Sequence, residues 1–235
     1  MSIIPILKDG FNRLDIAMSG AQLEMLETYC ARLIEYNQKV NLTAITEPEE
    51  IARKHFLDCA ACQHLIPGGA KCADIGTGAG FPGMVLAIVR PDVNMTLFDS
   101  LNKRLNFLRE LAQELSVRAE CVHARAEDAG QDPLYRQKYD VALSRAVARL
   151  PLLCEYTLPF VRVGGCLLAL KGPEVEGELK DAQRAISILG GAKPIVEQSD
   201  AFDSQQHNFV LIKKIKGTPP QYPRKAGMPA KNPLV

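Results

Sequence analysis

A glycine-rich turn with a carboxylate at its start is the stretch of this sequence best suited to hold a charged small molecule. Residues 74–83 read Asp-Ile-Gly-Thr-Gly-Ala-Gly-Phe-Pro-Gly, with apolar residues on both sides. The apolar residues before the turn predict a short buried strand. Those after it predict a helix that begins at Pro82, since proline is favoured at a first helical position. A strand, a tight turn and a helix start together place backbone N–H groups around a ligand.

Two kinds of cofactor fit this turn. Gly78, Gly80 and Gly83 match the G-x-G-x-x-G pattern of dinucleotide sites, and Asp99 lies where a ribose contact is expected. Asp74, however, would repel a pyrophosphate and attract a cationic centre. S-adenosyl-L-methionine carries a sulfonium and an ammonium and no phosphate. The spacing from Asp74 through Gly76 and Gly78 therefore favours S-adenosyl-L-methionine, and a dinucleotide remains the alternative.

The elements that position this turn alternate between strand and helix from residue 71 onward. The pattern predicts strands at 71–75, 95–98, 119–123, 140–143 and 166–170, and helices at 82–90, 101–115, 150–161 and 175–189. Such alternation indicates an α/β fold with a mostly parallel sheet covered on both faces. Two further strands, 194–198 and 208–215, have no crossover helix between them and are predicted to pair antiparallel.

Functional side chains are expected directly after the strands, because ligands of open parallel sheets bind beyond the carboxyl ends. Asp99 is predicted to accept hydrogen bonds from both ribose hydroxyls, and Ala126 and Glu127 are predicted to lie near the adenine. Arg145 follows the fourth strand and is the one side chain to which we assign a catalytic role. Its alternative interpretation is a structural ion pair with Asp140 or Glu127.

The first seventy residues and the last nineteen differ from this α/β pattern. The sequence predicts three parts: an N-terminal helical extension at 1–70, a Rossmann-like domain at 71–216 and a basic, proline-rich tail at 217–235. Ser19 with Gln22, and Thr46 with Glu49, match the capping-box pattern at helix starts. The second of these helices is predicted to run to Leu65. The tail, 218–235, is predicted to be extended rather than packed.

Composition is that of a soluble globular protein without a membrane span. Hydrophobic residues make up 47% of the chain, charged residues 23%, and the formal net charge is +1. Neither a signal peptide nor an apolar run long enough to cross a membrane is evident, so a cytoplasmic location with reduced thiols is expected. Cys59 and Cys62 form a single C-x-x-C inside a predicted helix, which indicates buried thiols, and no metal site is predicted.

Several segments resemble the bacterial 16S ribosomal RNA guanine-N7 methyltransferase family, also called glucose-inhibited division protein B. The matching segments are 36–37, 41–43, 55–58, 74–83, 96–104, 144–148 and 170–172. The resemblance implies a class I methyltransferase fold, S-adenosyl-L-methionine as donor, and methylation of a guanine in the decoding-region loop of 16S rRNA. It places the donor at Gly76, Phe81, Ala126, Glu127 and Arg145, to which the turn pattern adds Asp74, Gly78 and Asp99.

The resemblance also implies a partner, which is 16S rRNA or the small ribosomal subunit or its precursor. Lys171, after the fifth strand, and Arg224 and Lys225 of the basic tail are the expected contacts to RNA phosphate. The enzyme is expected to be a monomer.

Methylation at guanine N7 agrees with the absence of certain catalytic motifs after the fourth strand. The neutral base has a lone pair at N7, so no general base is required and the rate depends on alignment. Ser144, Arg145 and Ala146 follow that strand, without the Asn/Asp-Pro-Pro-aromatic set that orients an exocyclic amine and without a cysteine nucleophile. A dinucleotide-dependent oxidoreductase and a non-catalytic RNA-binding protein remain the alternative functions.

Overall fold

A seven-stranded sheet forms the centre of the protein in a computed structural model that describes residues 2–199 and 207–235. The strands are β1 (Lys71–Ile75), β2 (Asn94–Asp99), β3 (Ala119–His123), β4 (Tyr139–Arg145), β5 (Val161–Lys171), β6 (Ile195–Ser199) and β7 (His207–Lys213). Their order across the sheet is β3-β2-β1-β4-β5-β7-β6. β7 runs antiparallel to β5 and β6, whereas β1 to β5 pair in parallel. The predicted fold class and the antiparallel pairing are confirmed.

Helices cover both faces of this sheet. They are α1 (Ile4–Arg13), α2 (Gly20–Asn37), α3 (Pro48–Ile51), α4 (Asp58–Ala60), α5 (Gly83–Val89), α6 (Asn102–Glu114), α7 (Ala126–Ala129), α8 (Leu150–Thr157), α9 (Glu176–Asp181), α10 (Gln183–Ile188) and α11 (Met228–Lys231). Side chains of one strand alternate between the two faces. In β5, Leu168 and Leu170 join the core under the N-terminal helices, whereas Leu167 and Ala169 pack against α8 and α10.

The N-terminal helices pack directly on the sheet domain. Ser19 caps α2 through the predicted capping box with Gln22. The Gln22 side chain also donates to the carbonyl oxygen of Ile88 at 2.8 Å, which joins α2 to α5. The Thr46–Glu49 capping box is wrong, because α3 begins at Pro48 after Glu47 and has no side-chain cap.

Downstream of α3, a π-helical segment spans Ala52–Leu57 before α4, and a 3-10 turn follows at Gln63–Leu65. π-Helical turns are rare in proteins overall, and those that occur are often found at functional sites. This segment carries His55 and ends next to Asp58, two residues that reappear below.

Three helices have boundaries that differ from the predicted ones. α5 begins at Gly83 with Pro82 as its N-cap. α8 ends at Thr157 because Pro159 cannot continue a helix. The predicted helix at 175–189 is divided into α9 and α10 at Ala182, whose ψ of −7° departs from the helical value.

The C-terminal tail is packed against the domain, so the prediction of an unpacked segment is wrong. The Arg136 guanidinium donates to the carbonyl oxygens of Thr218, Pro219 and Tyr222 at 2.7–3.1 Å. Leu234 lies buried in the core cluster that contains α8 and α10. Proline-rich backbone lacks N–H donors but keeps its carbonyls, and an arginine with several donors can bind them.

No helix within the described part of the chain is long and apolar enough to cross a membrane.

Candidate active site

A cavity of about 330 Å³ opens at the carboxyl ends of β1, β2 and β4. In the sheet order, β1 and β4 are neighbours although two strands separate them in sequence, so this edge is the topological switch point where ligands of such sheets bind. The cavity is lined by Ile75, Gly76, Phe98, Asp99, Ser100, Arg104, Ala124, Arg125, Ala126, Glu127, Ala146, Val147 and Tyr156. We call it the donor cavity. Its volume lies at the lower end of the range for small-molecule sites.

Gly76 forms one wall of the donor cavity and has a backbone conformation that favours glycine. Its φ is +75°, and a Cβ placed there would lie 2.6 Å from Cγ2 of Val147. The N–H groups of Gly76 and Thr77 both donate to the carbonyl oxygen of Phe98 at 2.9 Å. These bonds fix the turn against the end of β2, so the Gly76 backbone faces the cavity without a side chain in between.

Asp99 lies at the end of β2 and holds the glycine turn in place. Its Oδ2 accepts from Gly78 N at 2.9 Å, and its Oδ1 accepts from Leu101 N at 2.8 Å. The residue is 4% exposed and lines the donor cavity, with the Arg104 guanidinium 3.4 Å from Oδ2. A carboxylate has about four lone-pair sites, so Asp99 retains acceptor capacity for hydroxyl groups of a ligand.

Ala126 and Glu127 begin α7 and also line the donor cavity. Glu127 is 7% exposed, and its Oε1 accepts a hydrogen bond from Gly227 N at 3.0 Å. The predicted position of both residues at the cavity follows from the strand order, because β3 is the second neighbour of β1.

Asp74 lies behind the turn and not in the cavity. It is fully buried, its Oδ2 accepts from Gly83 N at 2.9 Å, and its Oδ1 has no hydrogen-bond partner in the described structure. Burial raises the pKa of this carboxyl to about 7. Asp74 thus joins the end of β1 to the first turn of α5. The sequence led us to expect that Asp74 contacts the ligand directly, but the position of its side chain does not support such a contact.

Phe81 likewise contributes to packing around the turn. Its ring centroid lies 5.7 Å from that of Tyr29 and 4.4 Å from that of His55. The Tyr29 hydroxyl donates to the carbonyl oxygen of Ala79 at 2.5 Å. Through these contacts the N-terminal helices hold the glycine turn from the side away from the donor cavity.

Arg145 is the centre of a cluster formed with the π-helical segment and α4. Its Nη1 donates to Asp58 Oδ2 at 2.9 Å, and its Nη2 lies 2.6 Å from His55 Nδ1. The His207 ring contacts the other oxygen of Asp58, and the guanidinium also lies over the Phe81 ring. Arg145 therefore forms a structural ion pair, but with Asp58 and not with either acid that the sequence suggested.

The protonation state of His55 follows from its neighbours. Burial and the Arg145 guanidinium lower the pKa of His55 to about 4, so its ring is neutral near pH 7. Nδ1 lies 2.6 Å from Arg145 Nη2 and 3.1 Å from the Lys54 carbonyl oxygen. Because arginine has no acceptor, the shorter contact assigns Nδ1 as an acceptor, and the proton lies on Nε2, which is 2.9 Å from the Thr43 hydroxyl. His55 therefore fixes Arg145 as a hydrogen-bond acceptor.

A second cavity, of about 210 Å³, lies next to this cluster. It is lined by Asp58, Arg145, Ala146, Leu170, Lys171, Gly172, Glu178 and His207. Ala146 lines both cavities and has a φ of +55°, an uncommon value for a residue with a Cβ. We call this second space the target-side cavity. The two cavities meet at the backbone corner that follows β4.

The sequence of this chain matches a protein family and its members over most of its length. A family model described as GidB, rRNA small subunit methyltransferase G, matches residues 22–208. A protein named ribosomal RNA small subunit methyltransferase G from Alkaliphilus oremlandii is 48% identical over 240 residues and covers 100% of both chains. The chain belongs to the rRNA small subunit methyltransferase G family.

A further relative supports the family assignment, and two solved structures support the fold alone. A protein of the same name from Clostridium botulinum is 45% identical over 238 residues, with 100% of both chains covered. Cofactor-bound Rv0187 from MTB has a TM-score of 0.56 at 14% identity and covers 80% of this chain and 91% of its own. A predicted O-methyltransferase from Agrobacterium tumefaciens has a TM-score of 0.50 at 18% identity, with 64% and 76% covered.

The structure brings together only part of the residue set that the sequence suggested for the methyltransferase site. Gly76, Asp99, Ala126 and Glu127 line the donor cavity, whereas Arg145 lines the target-side cavity. Gly78 supports the site from outside, through its bond to Asp99.

The three basic residues that were expected to contact RNA phosphate differ in whether another group of the protein already binds them. Lys171 donates to Glu178 at 2.7 Å and to the Ala148 carbonyl at 3.0 Å. Arg224 is paired with Glu155 at 2.6 Å, whereas Lys225 is exposed. The position of Lys225 thus agrees best with a surface contact to RNA.

Sequence reasoning missed two groups of residues at the site. Tyr156 and Val147 line the donor cavity, and Asp58, His55 and His207 surround Arg145. A signal for Asp58, His55 and Val147 existed, since they lie in segments that resemble the family. Among residues 2–199 and 207–235, no group of three or more His, Cys, Asp or Glu side chains could hold a metal ion.

Proposed function

We propose that this protein transfers a methyl group from S-adenosyl-L-methionine to N7 of a guanine in the decoding-region loop of 16S rRNA. Membership of the rRNA small subunit methyltransferase G family is the observation that carries the proposal. The guanine and its N7 atom come from the resemblance described above. The substrate is 16S rRNA in the small ribosomal subunit or its precursor, and the enzyme acts in the cytoplasm.

The donor cavity fits S-adenosyl-L-methionine better than a dinucleotide. A dinucleotide places its pyrophosphate at the N-terminus of the helix after the turn. Here the N–H of Gly83 is already bonded to Asp74, and every residue of α5 is buried. A carboxylate at this helix start would also repel phosphate. The oxidoreductase alternative is therefore disfavoured on both access and charge.

The residues of the cavity have separate roles in this proposal. Asp99 accepts hydrogen bonds from the ribose hydroxyls, and Ala126 and Glu127 contact the adenine. Gly76 has no side chain between its backbone and the cavity, so the donor can approach the backbone closely. When bound, the donor supplies an electrophilic methyl group to the lone pair of guanine N7.

Arg145 is proposed to act on the target side. It lines the cavity that adjoins the donor cavity at Ala146, and its guanidinium is held by Asp58 and His55. A fixed cation at this position can orient the base and nearby RNA phosphate while the reacting atoms align. Lys225 contributes to RNA binding from the surface, whereas Lys171 and Arg224 are held by Glu178 and Glu155.

The direct test uses purified protein, radiolabelled donor and small-subunit particles from cells that lack this activity. N7-methylguanine mapped to one position of 16S rRNA is the expected result, with Asp99→Ala as the matched inactive control. Binding of RNA without methyl transfer would favour the non-catalytic alternative. Calorimetry that detected NAD or FAD binding but no S-adenosylhomocysteine binding would favour the oxidoreductase.

A further inference from the structure

The C-terminal tail, residues 217–235, lies against two elements that form the donor cavity. Its first contacts are made by carbonyl groups: Arg136 binds those of Thr218, Pro219 and Tyr222, and Gln131 binds that of Pro223 at 2.8 Å. These bonds hold the tail beside α7, because Gln131 and Arg136 lie in the loop that follows that helix. The matched family segment ends at residue 208, before the tail begins.

Arg224 supplies the partner for a buried carboxylate on α8. Its backbone N and its Nε both donate to Glu155 Oε1 at 2.9 Å, and its Nη2 donates to Oε2 at 2.6 Å. The Glu155 side chain is 1% exposed, so without Arg224 it would be a buried charge with no cation. The next residue of α8, Tyr156, lines the donor cavity.

Gly227 makes the second contact, to the cavity wall itself. Its N–H donates to Glu127 Oε1 at 3.0 Å, and Glu127 lines the donor cavity. Gly227 has a φ of +82°, in the left-handed region that favours glycine, and the bond from Met228 N to the Lys225 carbonyl closes the turn around it. The tail thus determines which way one carboxylate oxygen of Glu127 points.

We infer that the tail is part of the methyl-donor site: Arg224 fixes the tail on α8, and Gly227 then orients the Glu127 carboxylate towards the donor. The inference rests on the proposed function, because it takes the ligand of this cavity to be S-adenosyl-L-methionine. Arg224 and Gly227 are positioning residues that act through Glu127. A tail that served RNA binding alone would have no need to meet Glu127 of the donor wall and the buried Glu155 next to Tyr156.

The test compares Arg224→Ala with Lys231→Ala, an exposed residue of the same tail. Both changes remove one positive charge, so any general electrostatic effect on RNA binding is matched. Arg224→Ala should raise the dissociation constant for S-adenosylhomocysteine and the KM for the donor about tenfold, the effect of one hydrogen bond to a charged group. The KM for RNA should stay within about twofold in both variants, and Lys231→Ala should bind the donor like the wild type.

A double-mutant cycle separates positioning from a general effect on stability. In a Glu127→Ala background, Arg224→Ala should change donor affinity by less than about twofold, because the group on which it acts is gone. Equal effects of Arg224→Ala in both backgrounds, or wild-type donor affinity in Arg224→Ala, would overturn the inference. Wild-type protein that fails to bind S-adenosylhomocysteine would instead reject the proposed function.

Gly227→Ala provides a second variant if Arg224→Ala does not yield folded protein. No atom lies within 4 Å of the added Cβ, so the change strains only the left-handed backbone and displaces the N–H that binds Glu127. Donor affinity should again fall, and the thermal transition should fall only by the few degrees that a left-handed backbone cost of about 1–2 kcal/mol implies. Unchanged donor affinity in Gly227→Ala would also contradict the inference.

Discussion

Comparison of Gly76→Ala with Gly78→Ala should separate the backbone cost from the steric cost of a side chain in the glycine turn. Both residues have a left-handed backbone, with φ of +75° and +60°. A Cβ at Gly76 would lie 2.6 Å from Cγ2 of Val147, whereas the nearest atom to a Cβ at Gly78 is a carbonyl oxygen at 4.0 Å. Gly78→Ala therefore has only the backbone cost, and Gly76→Ala has the backbone cost together with a steric clash.

The expected magnitudes follow from these two terms. The left-handed backbone costs a residue with a Cβ about 1–2 kcal/mol, so Gly78→Ala should lower the free energy of unfolding by that amount. Overpacking adds about 1–3 kcal/mol at Gly76, for a total of about 2–5 kcal/mol. Val147 is 36% exposed, so Val147→Ala should cost little alone and should recover the overpacking term in the Gly76→Ala background.

The assay is urea unfolding of the four variants and the wild type, combined with calorimetry of S-adenosylhomocysteine binding. Gly76→Ala with Val147→Ala should be about as stable as Gly78→Ala. Because Val147 lines the donor cavity, Gly76→Ala should also weaken donor binding more than Gly78→Ala does. Equal stability of Gly76→Ala with and without Val147→Ala would refute the steric argument, as would a Gly78→Ala loss as large as that of Gly76→Ala.

Three further predictions concern the carboxylates and Arg145. Asp99→Asn should raise the dissociation constant for S-adenosylhomocysteine about 10–100-fold in calorimetry, since the amide offers one acceptor oxygen in place of two; an unchanged value would remove Asp99 from the donor site. Arg145→Met should lower the free energy of unfolding by up to about 3–5 kcal/mol because the buried Asp58 loses its guanidinium partner and keeps the His207 ring, and adding Asp58→Asn should restore part of it. Methyl transfer that returned with that stability would argue against a target-side role for Arg145. In the folded protein the pKa of the Asp74 carboxyl is raised from 3.8 to about 7. The folded state therefore binds this proton more tightly than the unfolded state, so the free energy of unfolding of the wild type is highest at low pH and falls as pH rises from about 4 to about 7. Asp74→Asn keeps an oxygen for Gly83 and should therefore gain stability relative to the wild type by about 2–4 kcal/mol between pH 5 and pH 8, and a pH-independent difference in urea unfolding would contradict this.

Local patterns were sufficient to predict the strands and the cofactor edge of the sheet. The turn at 74–83 and Asp99 are defined by residues close in sequence, and the carboxyl ends of parallel strands must share one edge. Gly76, Asp99, Ala126 and Glu127 were located in this way. Asp74 has the same motif evidence, but its side chain is buried behind the turn, and burial is a tertiary property that spacing does not reveal.

The surroundings of Arg145 depend on contacts that no local pattern encodes. Asp58 and His55 lie 87 and 90 residues away in sequence, and His207 lies 149 residues from Asp58. The tail shows the same limit. Its prolines and charges predict an unpacked segment, yet its carbonyls and Arg224 find partners on Arg136 and Glu155, which nothing within the tail itself indicates.

The π-helical segment at Ala52–Leu57 has a consequence for the length of the chain at this point. Each residue of an α-helix turns the following side chains by about 100° around the axis. A π-helical turn holds one extra residue, so the side chains after this segment point where they would in an α-helix one residue shorter. If the same six residues formed a regular α-helix, everything after them would be rotated by about 100° relative to Ile51, which is fixed in the core. Asp58 would then face away from Arg145. The wide turn, and not only the identity of its residues, is therefore required where the helix supplies the anion for the arginine.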